Sequence, residues 1–330
     1  MKTAVLIMET QAEKQTRNIK TLFYAIFIIM ISLVLTGCSR QDDELQDRIE
    51  ALIGGFPAEI GVSVLFQTDT VAINAEEHFP MFSVVKFYQA LAVSERIRTG
   101  QVHWTTEPGS YVVNVTAEDL KPGTWSPMRE EHPEGGDFSV RQLMEYSLVN
   151  SDNNACDVLF NRFATPEQVE GCVRSWGIRE CGIAWTEDEQ RFDPQRAYDN
   201  WTTPGAATGL LKKFYDEHNK DDYSRFVWNT MARCNTGAAR IPKYISDKSS
   251  LIVHKTGTGF ILEDGTVTGI NDIACIVLPD GSHFELAVFI RDAKCDVSEC
   301  EEMIAVIAQE CYSSISGLSG ECGRFPQAVH

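Results

Sequence analysis

Positive charge is scarce in this sequence. Its 330 residues carry 29 Lys and Arg against 47 Asp and Glu, a formal net charge of −18. That balance excludes the electrostatic grip on a polyanion, so neither nucleic acid nor an anionic lipid surface is an expected partner. It says nothing about which small molecule binds. Histidine is also sparse, at seven residues. His132, His218, His254 and His283 are scattered, with no spacing that suits zinc, so no metal and no other cofactor is expected. No internal repeat is visible. The apolar run from Leu22 to Leu35 is too short for a comfortable membrane span.

That run has its own meaning. Lys14, Arg17 and Lys20 precede it, and it ends in Leu35-Thr36-Gly37-Cys38. The ending resembles the lipobox of bacterial lipoproteins, where the signal is cleaved ahead of a cysteine that becomes lipidated. The resemblance implies a signal peptide over 1–37, lipidation at Cys38 and a charged tether over 38–44. The chain would then face the periplasm or cell exterior, with membrane contact through the anchor alone. A plain N-terminal membrane anchor is the alternative. Removing the four basic and two acidic residues of 1–37 from 29 and 47 leaves 25 and 45, a net charge near −20.

Nine cysteines remain after Cys38, an odd number. Cys172 with Cys181 and Cys295 with Cys300 are the nearest couples, and Cys156, inside an apolar helical pattern, is expected as a buried free thiol.

Strand patterns lie at both ends of the chain: Ile60–Phe66 and Val71–Ile73, then Leu251–Lys255, Ile273–Leu278 and Phe284–Ile290. Helical patterns fill the middle, several opened by a cap, as at Ser139-x-x-Gln142 and Thr165-Pro166-Glu167-Gln168. The expected fold is α+β: a five-stranded antiparallel sheet flanked by helices, with an all-helical lobe inserted. Residues 45–80 and 236–312 form the α/β lobe, 81–235 the helical lobe, and 313–330 a loose tail. A cleft between the lobes is the expected place for a site.

The stretch Phe79-Pro80-Met81-Phe82-Ser83-Val84-Val85-Lys86 organises the chemistry. Pro80 reads as a helix-entry residue, and Ser83 and Lys86, three apart, share one helix face. A serine hydroxyl attacks only once its proton is taken, and a lysine among apolar neighbours can help to take it. Three further clusters are singled out. Ser151-Asp152-Asn153 sits on a turn between helices. Lys255-Thr256-Gly257-Thr258 ends a strand with a cation, hydroxyls and permissive backbone. Glu187 lies in a long irregular segment, about Cys181 to Thr203, of the sort that tends to be functional.

Together, in this order, these motifs resemble the class A serine β-lactamases, over roughly Glu59 to Tyr312. Ser151–Asp157, Asn200-Trp201-Thr202 and Asn271-Asp272 are most similar to the cephalosporinase-rich subclass. The resemblance implies the serine β-lactamase and penicillin-binding transpeptidase-like fold, a monomer, and hydrolysis of a small-molecule β-lactam. It implies Ser83 as nucleophile, Lys86 in proton transfer, Ser151 passing a proton to the leaving nitrogen, and Glu187 activating the deacylating water. Asn153 would hold the substrate's side-chain amide. Lys255, Thr256, Gly257 and Thr258 would bind its carboxylate, with Arg240 beside them. Whether Lys86 or Glu187 is the acylation base stays open.

Some positions depart from the pattern. Trp185 and Asn200 stand where an Arg and an Asp would clamp the loop as an ion pair. Arg191 replaces an asparagine four residues after the glutamate, which leaves Glu189 as an alternative base. Phe82 precedes Ser83, where some members have a cysteine. A penicillin-binding DD-peptidase and a non-hydrolytic β-lactam sensor are the alternatives to a hydrolase.

Overall fold

A computed structural model describes residues 44–67, 69–104 and 112–322. The chain divides into two units, Met1–Leu45 and Gln46–His330. The first falls almost wholly outside the described residues, as does Cys38, and apart from residues 44 and 45 the elements below belong to the second.

Helix α1 (residues 44–53) is followed by β1 (Glu59–Phe66), β2 (Asp69–Ile73) and β3 (Phe79–Pro80). The middle of the chain holds α2 (Val85–Arg98), β4 (Val113–Thr116), α3 (Pro127–Glu131), β5 (Gly135–Phe138), α4 (Val140–Val149), α5 (Asn153–Arg162) and α6 (Pro166–Ser175). After these come β6 (Cys181–Gly182), α7 (Glu187–Phe192), β7 (Trp201–Thr202), α8 (Pro204–Glu217) and α9 (Asp222–Met231). The chain closes with β8 (Leu251–Thr258), β9 (Val267–Val277), β10 (His283–Ala293) and α10 (Val297–Cys322). Among the described residues no helix is long and apolar enough to cross a membrane.

The five-stranded sheet expected from the two chain ends is present, antiparallel throughout in the order β2-β1-β10-β9-β8. Ten of the eleven residues of β9 are buried, on both faces of the strand. Helices therefore cover the sheet on both sides. α8 lies against β1, β9 and β10, and α10 packs on β9 and β10 through Ile304, Ile307, Cys311 and Ile315.

α2 is enclosed on every side. Val85 through Ser94 are all buried, Lys86 and Gln89 included, so it is a core helix and not an amphipathic surface one. It touches α4, α5, α6 and α9. The side chains on it are held rigidly, as a reacting group requires.

Four local readings differ from expectation. Pro80 does not open a helix: it sits in β3 opposite Trp201, and Phe82, with φ +46°, makes a left-handed bend between β3 and the turn that leads into α2. The inserted segment is not all-helical, since β4 pairs with β5 and β6 pairs with β7. The stretch before Thr203 carries α7 and a 3₁₀ helix, Pro194–Asp199. α10 continues to Cys322, ten residues past the expected end.

The small sheet β3-β7-β6 does most to position the catalytic candidates. β6 and β7 bracket the Glu187 segment, and β7 pairs with β3 just ahead of Ser83. Both ends of that segment are thus pinned beside the serine.

Candidate active site

Ser83 sits in a 3₁₀ turn, Phe82–Val84, that runs directly into α2, and Lys86 follows one turn later. The Lys86 side chain is fully buried. An ammonium has three N–H donors. All three are used: Nζ lies 2.6 Å from Ser83 Oγ, 2.6 Å from Asn153 Oδ1 and 2.6 Å from Glu187 Oε1. Ser83 Oγ is itself 3.4 Å from the same Glu187 oxygen. Serine, lysine and carboxylate form one continuous path along which a proton can move.

Glu187 is the first residue of α7. Thr186 caps that helix, accepting from Glu189 N at 3.3 Å, while Glu189 Oε2 accepts from Thr186 N at 2.9 Å. Glu189 is thereby turned outward and exposed, and the structure separates the two carboxylates. Asp157 of α5 accepts Glu187 N at 2.8 Å and Asp188 N at 3.0 Å, which sets the rotation of α7. Burial, and then the Glu187 carboxylate beside it, push Asp157 well above the usual carboxylate range. Arg191 turns back onto Asp188, at 2.9 Å.

The segment keeps a clamp without the ion pair. Fully buried Asn200 accepts Ala184 N at 2.8 Å and Trp185 N at 2.9 Å, and donates to Trp185 O at 2.7 Å. The Trp185 indole N–H donates to Asp199 at 2.9 Å, and the Arg196 guanidinium lies over its ring.

Across the cleft, Ser151 takes φ +56°, an uncommon conformation for a residue with a side chain. Next to it Asp152 caps α5 and also accepts Ser126 Oγ and Met128 N. Burial raises the Asp152 carboxyl, against the pull of these hydrogen bonds. The turn points Ser151 Oγ at Lys255 Nζ, 2.9 Å away at the end of β8. Lys255 is fully buried, and desolvation, with Lys86 also nearby, pushes it down to about 8, against the opposing pull of Cys234.

Beyond Lys255, Thr256 Oγ1 meets Thr236 Oγ1 at 2.6 Å. Gly257 is required by contact: a Cβ there would fall 2.4 Å from Met81 O, which no side chain tolerates. Buried Arg240 donates to Gly257 O and Asn271 O, both at 2.9 Å, to Thr258 Oγ1 at 2.7 Å, and to Glu301 at 3.1 Å. It reaches the cleft through Thr258. Asn153 spans the floor, accepting from Lys86 and donating to Thr124 Oγ1 at 2.6 Å. Ser83, Ser151, Asn153, Thr256 and Thr258 line one cavity of about 350 Å³, with Trp125 and Thr236.

Comparison with known proteins decides what this arrangement belongs to. Residues 44–315 match the model of the beta-lactamase enzyme family. A beta-lactamase of Phocaeicola vulgatus is 33% identical over 317 residues, covering 93% of this chain and 97% of the relative. The chain belongs to the class A serine β-lactamases. The extended-spectrum beta-lactamase PER-1 of Pseudomonas aeruginosa is 32% identical over 299 residues, 89% of this chain and 94% of PER-1. The crystal structure of the TLA-3 extended-spectrum beta-lactamase superposes with a TM-score of 0.78 at 32% identity, covering 83% of this chain and 98% of that one. This β-lactamase is a serine hydrolase that opens the β-lactam amide and so confers resistance.

Sequence reasoning passed over Thr236, Asp157 and the clamping role of Asn200. Asp157 had a readable signal, since it stands four residues after Asn153 on the same face of α5. Thr236 had none, because only the fold brings it to Thr256. Cys156 is buried and free as expected, and Cys295 and Cys300 are thiols with their sulfurs 3.7 Å apart. Scattered histidine spacing also concealed one potential metal group: ligand atoms of Cys275, His283 and Glu285 lie within 4.8 Å of one another.

Proposed function

We propose that Ser83 is the acylating nucleophile of this β-lactamase and Glu187 the base of its deacylation. The observation that carries the reading is the single Lys86 ammonium, 2.6 Å from each of Ser83, Asn153 and Glu187. Ser83 Oγ bonds to the lactam carbonyl carbon as its proton passes into the Lys86–Glu187 pair. Backbone N–H groups of Ser83 and Thr258 meet the oxyanion. The C–N bond then breaks, and the nitrogen takes a proton from Ser151, itself hydrogen-bonded to Lys255. Lys255, Thr256 and Thr258 hold the substrate carboxylate, with Gly257 allowing close approach and Arg240 fixing Thr258 from behind. Asn153 holds the side-chain amide. In the second half, water gives its proton to Glu187 and opens the ester, and Ser83 recovers its hydrogen.

The substrate's seat in this reading lies where the lobe of residues 236–312 meets that of 81–235. Cephalosporins are its preferred substrates, ahead of carbapenems. The Thr258 hydroxyl at the carboxylate corner supports this, as do relatives named for an extended spectrum. A loop held by an amide in place of an ion pair leaves room for bulky oxyimino side chains. The mature enzyme is a monomer held at the cell envelope through a lipidated Cys38.

Glu187→Ala tests the assignment. It should still acylate with a reactive cephalosporin but deacylate about a hundredfold more slowly, the range for losing a positioned base. Intact-protein mass spectrometry should find a long-lived adduct that Ser83→Ala never forms, while Glu189→Ala turns over like the parent. Normal deacylation in Glu187→Ala, with adduct in Glu189→Ala, would overturn the reading. A parent enzyme that accumulates adduct without turnover would instead be a penicillin-binding protein or sensor. Across a substrate panel, kcat/KM should be higher for early cephalosporins than for carbapenems, and the reverse order sinks the preference.

A further inference from the structure

Behind the carboxylate corner lies a second group of reactive side chains that the hydrolysis does not use. Successive residues of β8 leave on opposite faces, so while Lys255 goes to Ser151, its neighbour His254 goes elsewhere. His254 is buried, and its Nδ1 lies 3.1 Å from Oδ1 of fully buried Asp272 on β9. Cys234, in the segment after α9, lines the same cavity as His254. A thiol and an imidazole thus share one cavity, with Asp272 orienting the ring, an arrangement in which the imidazole can activate the sulfur.

The thiol is within reach of small molecules. Cys234 is half-buried, and with His254 it lines a cavity of about 340 Å³. Thr236 lines that cavity and the substrate cleft alike. Cys234 Sγ is 3.4 Å from Thr236 Oγ1, which is in turn 2.6 Å from Thr256 Oγ1. One wall residue thus links the thiol to a hydroxyl that holds the substrate's carboxylate.

We propose that Cys234, with His254 and Asp272, is a thiol-modification site for low-molecular-weight disulfides, coupled to substrate binding through Thr236 and Thr256. In the exchange, Cys234 Sγ⁻ attacks one sulfur of R–S–S–R, a new S–S bond forms and the old one breaks. RS⁻ leaves and takes a proton from solvent. Cys234 is oxidised, and the departing sulfur is reduced. The group left on Cys234 displaces Thr236 from Thr256. The coupling rests on the carboxylate-binding role given to Thr256, and the modification itself does not.

The electrostatics agree. Burial alone would raise the Cys234 thiol, but the hydrogen bond and charge of His254, the charge of Lys255 and the hydrogen bond of Thr236 bring it well below an ordinary thiol. His254 in turn is held up by Asp272 and Cys234 against its own desolvation. Burial instead pushes the thiols of Cys156, Cys172, Cys181, Cys275 and Cys311 upward, that of Cys275 even with His283 and Glu285 beside it.

Two measurements on the purified reduced protein test the proposal. Iodoacetamide labelling, located by peptide mass spectrometry, should modify Cys234 first, at a rate that stays near its plateau at roughly pH 7. An ordinary thiol, ionising near 8.5, loses about tenfold per pH unit there. His254→Gln should restore that ordinary profile. Labelling of parent Cys234 with the ordinary profile, or none at Cys234, overturns the site whatever His254→Gln does. Treatment with 2-hydroxyethyl disulfide should then form a mixed disulfide at Cys234 and raise KM for a cephalosporin about fivefold. That is the fold-change expected for one lost hydrogen bond, with kcat changed less than twofold. Dithiothreitol should reverse the effect, and Cys234→Ala should hydrolyse like the parent and ignore the disulfide. A mixed disulfide at Cys234 with unchanged KM overturns the coupling. The labelling arm needs no turnover, so its outcome is distinct from any failure of the catalytic assignments.

Discussion

Two buried lysines, Lys86 and Lys255, flank the reacting centre, and their partners separate their roles. Lys86 gives all three donors to Ser83, Asn153 and Glu187, and in the proposed reading it is the junction of the proton path. Lys255 has the Ser151 hydroxyl and the Thr256 carbonyl, both neutral, and awaits an anion. Burial, joined by the Lys86 charge, brings it down to about 8. The charged form is the low-pH form. Below about pH 8 the cation is present to bind a substrate carboxylate, and as pH rises through 8 it is lost. KM should therefore climb by up to tenfold per unit above that point. Initial-rate measurements from pH 6 to 10 check this, and Lys255→Gln should show a high KM without the inflection. A KM flat to pH 10 in the parent removes Lys255 from carboxylate binding.

At the scale of elements, the carboxylate proposed as the deacylation base depends on how a short segment is tied down. α7 is only six residues long and cannot hold its place by helix propensity. β6 and β7 pin its flanks, Asp157 receives its first N–H groups, and Asn200 closes the loop by three backbone hydrogen bonds. Asn200→Ala leaves three polar groups at a buried position without these partners. It should cost about 2–4 kcal/mol of stability, at about 1–3 kcal/mol per unsatisfied group with some relaxation. Deacylation should slow more than acylation, because Glu187 moves while Ser83 on α2 does not. Thermal unfolding and single-turnover acylation measure the two effects separately. Equal loss in both half-reactions would mean the clamp supports the whole cleft and not the carboxylate.

For the molecule as a whole, the sheet joins β1 and β2 from one end of the chain with β8, β9 and β10 from the other. The chain between carries Ser83, Ser151 and Glu187, and the returning strand β8 closes the site with Lys255. An enzyme this acidic gains nothing electrostatically from an anionic bilayer. In the proposed arrangement it stays at the membrane through Cys38 alone. Cys38→Ser should move the enzyme from the membrane fraction to the soluble one, or leave it unprocessed, with unchanged kcat/KM in the folded domain. Mass spectrometry of a mature N-terminus that begins elsewhere and carries no lipid contradicts the anchor.

Local periodicity made much of this legible in the sequence. Ser83 and Lys86 are one helical turn apart, so any helix there places them together. Ser151-Asp152-Asn153 carries its own cap, and the short apolar runs of β8 to β10 announce strands. Tertiary structure decided the rest, because the deciding contacts join distant parts of the chain. Glu187 and Glu189 stand two residues apart in the first turn of α7, and helix geometry alone is indifferent between them. Packing of α7 on α5, through Asp157, turns Glu187 toward Lys86 and leaves Glu189 to the cap. Asn200 could be read as a missing ion-pair partner, but only the fold shows its amide fifteen residues on from Trp185, bonded to that backbone. Cys234, His254 and Asp272 lie on three separate segments. His254 meets Asp272 because β8 pairs with β9 in the register Lys255 with Ile273, a match of strands that no local pattern encodes.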